Sequence, residues 1–167
     1  MNHNIIIGIK NGKILRLCFN DIIRPYKNLR VITQNDIEKI VNFVKQNGRS
    51  DILIHCYAGV SRSIAITMFL MFLLEKNIKV DEVVSMIKNK APFANPNKLV
   101  LMQAGRVMHQ EKFFVDLIKY FKGIILKSYN NNSSIQFGFN LKLKISTNRK
   151  TCTSTSTRCM YLYLFLF

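Results

Sequence analysis

No acidic residue follows Asp116. All 9 Asp and Glu lie in residues 1–116, where 17 Lys and Arg oppose them, whereas residues 117–167 hold 8 Lys and Arg and no acid. Half of the net charge of +16 therefore sits in a C-terminal third unlike the rest. That third shows a Thr/Ser run from Thr151 to Thr157 and no single periodic apolar face, which is poor material for a core. The sequence thus predicts a domain over residues 1–126 and a basic, poorly structured tail over 127–167. Cysteines are few, at 18, 56, 152 and 159, with no Cys-x2-Cys pair, and His3, His55 and His109 are far apart; metal-finger spacing is absent, which argues against zinc. Long apolar runs are also lacking. The longest, Ile64–Leu74, spans 11 residues, short of the ~20 a membrane-crossing helix needs. The Ile5-Ile6-Ile7 run has no cleavage-site pattern behind it. The expectation is a soluble protein of a reducing, cytoplasmic compartment.

What is present is enough to fold. At 167 residues, 49% hydrophobic and 20% charged, the chain can bury a real core. Its basic balance suits an anionic partner, whether a phosphorylated substrate, nucleic acid or an acidic membrane face. Nucleic acid is disfavoured, because no aromatic-basic interleaving or recognition-helix pattern accompanies the charge.

The patterning predicts strands at Ile5–Ile9 and Ile14–Phe19 around an Asn11-Gly12 turn. A capping box at Thr33–Asp36 opens an amphipathic helix with Ile37, Ile40, Val41 and Val44 on one face, stopped at Gly48. Ile52-Leu53-Ile54 reads as a central strand covered on both faces. Ser63–Lys76, apolar nearly all round, reads as a helix sunk in the domain. Val80, Val83, Val84 and Ile87 mark another helix, ended by Ala91-Pro92, and Asn95-Pro96 is read as the N-cap and first turn of the next. The expected fold is α/β, a small, partly parallel central sheet flanked by helices.

Between the central strand and the buried helix lies His55-Cys56-Tyr57-Ala58-Gly59-Val60-Ser61-Arg62-Ser63. A nucleophile at a strand's end, five residues whose amides can turn inward and an arginine at a helix start make a cup for a tetrahedral dianion. Backbone N–H groups of such a loop form an anion-binding nest, and the helix N-terminus adds its positive end. Gly59 admits backbone angles forbidden to other residues. Arg62 offers a planar fork for two phosphate oxygens, a contact lysine cannot make. A field that binds a dianion also favours the thiolate of Cys56, and Ser63 can donate a hydroxyl hydrogen bond to that sulfur. His55 is read as ordering the loop through backbone hydrogen bonds.

These residues resemble the His-Cys-x5-Arg-[Ser/Thr] signature of the cysteine-dependent protein tyrosine phosphatases. His-Cys-x-Ala-Gly-Val-Ser-Arg-Ser is similar to the dual-specificity branch and its bacterial relatives. Asn97, Val100 and Gln103 resemble the Asn-x-x-apolar-x-x-Gln element that supports the cup there, so the likeness covers about Leu15 to His109. The resemblance implies an enzyme with Cys56 as nucleophile, Arg62 and the amides of Tyr57, Ala58, Gly59, Val60 and Ser61 holding the phosphoryl group, Ser63 assisting thiolate departure, and no metal or organic cofactor. It also implies an acidic aspartate on a loop a few dozen residues before the cysteine. Asp21 stands 35 residues before Cys56 and after a predicted strand; Asp36 is used in helix capping, and Asp51 begins the strand that ends at Cys56. Tyr57 and Ala58 stand where phosphoinositide-directed relatives tend to carry lysines, which points to a phosphorylated protein substrate. Only 20 residues precede Asp21, fewer than such domains place there, so either a sheet short of N-terminal strands or an N-terminally truncated chain is expected. A degenerate phosphate-binding module of the same fold is the alternative. A sulfurtransferase is disfavoured by the five-residue spacing to arginine.

Overall fold

The computed structural model describes residues 13–47, 51–75, 77–121, 135–138, 142–147 and 159–165. The strand expected at Ile5–Ile9 and the Asn11-Gly12 turn lie outside these residues. In chain order the elements are β1 (Lys13–Cys18), α1 (Gln34–Asn47), β2 (Asp51–Cys56), α2 (Arg62–Leu74), α3 (Val80–Lys90), α4 (Lys98–Met108), α5 (Glu111–Tyr120), β3 (Ile135–Gly138), β4 (Lys142–Thr147) and β5 (Cys159–Phe165).

The sheet runs β1-β5-β2-β4-β3. β2 and β4 are parallel, with Cys56 abreast of Thr147, and the other pairs are antiparallel. The α/β class with a partly parallel sheet is therefore as read from sequence, but the segment expected to be a poorly structured tail supplies three strands. They enclose β2 on both sides, antiparallel to β5 and parallel to β4. Composition alone does not reveal this: a strand paired on both edges needs only alternation, and Lys142–Thr147 and Cys159–Phe165 have it or an apolar run.

β2 is covered less evenly than expected. Ile52, Ile54 and Cys56 are buried in the main core, while Leu53, on the opposite pleat face, is half-buried. Side chains alternate across a strand, so one face meets the core while the other receives thinner cover.

The core is built around α2, whose residues from Arg62 to Met71 are all buried, as its all-round apolar sequence requires. α4 packs against α1, α2 and α5. Phe72 meets Phe113 and Phe114 with ring centroids 4.7 and 5.1 Å apart, pinning α5 to α2. α5 is split from α4 by a turn at His109, whose backbone is left-handed (φ 53°), and Gln110 N–H closes the turn on Gly105 O at 2.9 Å. Gly105 permits this fold-back, since a Cβ there would stand 3.2 Å from Glu111 Cα.

α1 starts as its sequence predicts. Asp36 N–H donates to Thr33 Oγ1, and Thr33 donates to Asp36 Oδ2 from both its N–H and its hydroxyl. Asp36 is 1% exposed and also accepts two bonds from Arg30 Nη2, at 2.7 and 2.9 Å. The same guanidinium reaches Cys18 O through Nη1, so one buried carboxylate joins the end of β1, the loop after it and α1.

The next capping expectation is corrected. Asn95 does not cap α4; Asn97 does, accepting from Val100 N–H at 3.1 Å. Asn95 N–H is used instead on Val60 O, at 3.0 Å, and this bond ties the segment before α4 to the loop that follows β2.

Candidate active site

Cys56 closes β2 with its side chain in the core face, 1% exposed. The loop after it folds back on the sulfur. Gly59 N–H donates to Cys56 Sγ at 3.3 Å, and the turn depends on a left-handed backbone (φ 69°) that favours glycine. Carbonyls on the outer side of the loop are occupied by neighbours: Val60 O accepts from Asn95 N–H, and Ser61 O from Ala65 N–H and Asn97 N–H. The loop thus turns the Gly59 N–H onto the sulfur while the Val60 and Ser61 carbonyls bond to neighbours.

α2 begins directly beneath this loop at Arg62. Ser63, in its first turn, sets its Oγ 3.2 Å from Cys56 Sγ. As a thiol the sulfur donates in this pair; as a thiolate it accepts the hydroxyl proton. Thr67 secures the turn by donating its hydroxyl to Ser63 O at 2.9 Å.

Arg62 is a buried cation, 2% exposed. Its Nη1 donates to Phe19 O at 2.8 Å, and its guanidinium carbon lies 5.9 Å from the centroid of the Phe19 ring. Phe19 thus fixes the arginine that the loop needs, a role no sequence reading assigned to it. The signal that points to it is position: Phe19 directly follows β1, two residues before Asp21.

Asp21 is exposed and lies against the same loop. Its Oδ1 accepts from Ser61 Oγ at 2.7 Å and from Asn97 Nδ2 at 2.7 Å. Asp51, at the opposite end of β2 from Cys56, and Asp36, engaged with Arg30 and Thr33, take no part. A cleft of about 590 Å³ flanks the loop, lined among others by Asp21, Ile23, Ala58, Val60, Ser61 and Lys98. Tyr57 is half-buried at the loop's start.

His55 is buried, and its Nδ1 lies 3.1 Å from Cys56 O. A carbonyl only accepts, so Nδ1 carries the proton and the imidazole orders the backbone at the nucleophile. Burial pushes the pKa of His55 below 6.5, the Cys56 carbonyl opposes that shift, and the nearby Arg62 charge adds to it. A neutral imidazole is the consequence.

Among the described residues no three His, Cys, Asp or Glu side chains are grouped to hold a metal ion. None of the helices described is long and apolar enough to cross a membrane.

Strand, loop and helix thus bring the sulfur, the Gly59 N–H and the Ser63 hydroxyl together. A family model, the dual specificity phosphatase catalytic domain, matches residues 5–110, more than half of the chain. The chain belongs to that family. No curated protein and no solved structure matches it.

Proposed function

We propose that the chain is a cysteine-dependent phosphatase that hydrolyses phosphoprotein monoesters through a phosphocysteine intermediate. The observation that carries this reading is the pairing of Cys56 Sγ with Gly59 N–H and Ser63 Oγ in one loop whose Ser61 also holds Asp21.

In the first step the Cys56 thiolate attacks phosphorus in line. The P–S bond forms, the ester P–O bond breaks with its electron pair on the leaving oxygen, and the Asp21 carboxyl gives that oxygen its proton. Arg62 and the amides of Tyr57, Ala58, Gly59, Val60 and Ser61 hold the three equatorial oxygens, whose negative charge balances the buried guanidinium. In the second step water attacks phosphorus, the Asp21 carboxylate takes its proton, and the P–S bond breaks to return the thiolate, which the Ser63 hydroxyl stabilises. Each proton lost in one step is regained in the other, so the sequence needs no co-reactant beyond water.

Phosphorylated protein is the substrate class favoured over inositol lipid, because Tyr57 and Ala58 give the loop no cationic side chain at those positions. The compartment proposed is the cytoplasm, where the Cys56 thiol stays reduced.

Hydrolysis of p-nitrophenyl phosphate by wild type and Cys56→Ser, each with and without chelator, tests the reading. Turnover that is lost in Cys56→Ser and indifferent to chelator is expected. A wild-type chain that binds phosphate or vanadate without turnover would instead make it a catalytically inert phosphate-binding module.

A further inference from the structure

Two helix N-cap residues converge on one oxygen of Asp21. Ser61 occupies the N-cap of α2, yet its side chain makes no capping bond there; its hydroxyl donates to Asp21 Oδ1 at 2.7 Å. Asn97 occupies the N-cap of α4 and does cap it, through Oδ1, while its Nδ2 donates to the same Asp21 oxygen at 2.7 Å and to Ile22 O at 3.4 Å.

Capping alone does not call for asparagine, since aspartate and serine serve that position equally well. What asparagine adds is a second arm that donates. Its orientation is also set: with Oδ1 on Val100 N–H, a flipped amide would face that donor with NH2 and face Asp21 with a carbonyl oxygen. An aspartate at 97 would cap α4 but press a second carboxylate on Asp21. A serine would cap α4 and offer no second donor.

We infer that Ser61 and Asn97 are positioning residues for Asp21, which by occupying Oδ1 assign proton transfer to Oδ2. This rests on the proposed role of Asp21 as acid and base. An oxygen that accepts two hydrogen bonds is the acceptor oxygen of the carboxyl group, so the proton resides on its partner. Oδ2 therefore delivers the proton to the leaving oxygen and later receives one from the attacking water. Because Asp21 is exposed, its side chain would otherwise sample several rotamers, and a displacement of about 1 Å in a reacting group costs on the order of 10²-fold in rate. Asn97 N–H also donates to Ser61 O at 3.3 Å, so the acid and the phosphate loop are fastened to one residue and to each other.

The test uses Asn97→Asp and Ser61→Ala, each alone and combined with Asp21→Asn, on two substrates. Phenyl phosphate needs a proton on its leaving oxygen; dinitrophenyl phosphate departs as a stable anion. Each single variant is expected to lower kcat on phenyl phosphate by about tenfold or more, to leave KM within about twofold, and to change dinitrophenyl phosphate little. In the Asp21→Asn background neither should slow phenyl phosphate further. Ser61→Thr, which keeps the hydroxyl, should recover the rate lost in Ser61→Ala. Equal slowing of both substrates, or an undiminished effect in the Asp21→Asn background, overturns the inference. So does a leaving-group-selective loss in Asp21→Asn alone, with both neighbours inert. If Asp21→Asn itself shows no selectivity, the acid role has failed, and the positioning role with it. Should Asn97→Asp not fold, Ser61→Ala carries the same comparison, because it removes no cap.

Discussion

Ser63 Oγ lies 3.2 Å from Cys56 Sγ, held there by a helix turn that Thr67 secures through Ser63 O. A hydroxyl so placed matters most when the sulfur is an anion, and the sulfur leaves as one in the second step. Ser63→Ala should keep the first step and slow hydrolysis of the phosphocysteine by roughly 10- to 10²-fold, the worth of a hydrogen bond to a charged group. Stopped-flow release of the aryl alcohol checks this: a burst of about one equivalent before a slow steady state is expected, and a uniform slowing without a burst would move Ser63 out of the second step.

Arg62 is anchored through Nη1 on Phe19 O at 2.8 Å. That bond and the Phe19 ring beside it hold the guanidinium in place, and only a planar fork can follow phosphoryl oxygens two at a time. Arg62→Lys keeps the charge and loses the fork, so kcat on p-nitrophenyl phosphate should fall by about 10² or more. A near-normal rate in a variant with unchanged thermal unfolding would show that the arginine does not clamp the phosphoryl group.

The cup was readable from sequence because its parts are contiguous. Cys56, Gly59, Arg62 and Ser63 lie within eight positions, and a strand before and an apolar helix after leave the loop one place to go. The place of Asp21 beside the loop follows the resemblance, which looks for an aspartate after a strand some dozens of residues before the cysteine, and the Thr33–Asp36 capping box is legible through its spacing. Phe19 and the Asn97 link to Asp21 were not, since a backbone carbonyl and a second amide arm leave no mark in composition or period. Asn95 and Asn97 offer the same cap side chain two residues apart, and the choice falls to the tertiary bond from Asn95 N–H to Val60 O.

His55 ties stability to pH. Burial lowers its pKa below 6.5, so in the window from that lowered value up to about 6.5 the unfolded chain binds a proton that the folded chain does not. Stability then rises with pH through this window and is lost as pH falls through it. Urea midpoints at pH 5 and pH 7 should differ more for wild type than for His55→Gln. Identical pH dependence in the two would remove His55 as a source of acid lability.

β2 has β5 on one side and β4 on the other, and among the described residues β1 pairs with β5 alone. Deleting residues 128–167 removes both neighbours of the nucleophile strand and exposes two rows of backbone donors and acceptors. The truncated chain is expected to unfold at a clearly lower urea midpoint and with less cooperativity than the full chain. A truncated chain that unfolds cooperatively at the full-length midpoint would show the segment to be a dispensable appendage, as its acid-free composition by itself suggests.

The most direct measurement is acid-quench trapping of the covalent intermediate. Ser63→Ala is mixed with excess p-nitrophenyl phosphate, quenched in the burst, digested and analysed by mass spectrometry. The mass of one phosphoryl group should appear on the peptide that carries Cys56 and disappear in the Cys56→Ser, Ser63→Ala double variant. Turnover with the phosphoryl group on another residue, or turnover that survives Cys56→Ser, would contradict the assignment of Cys56 as the nucleophile.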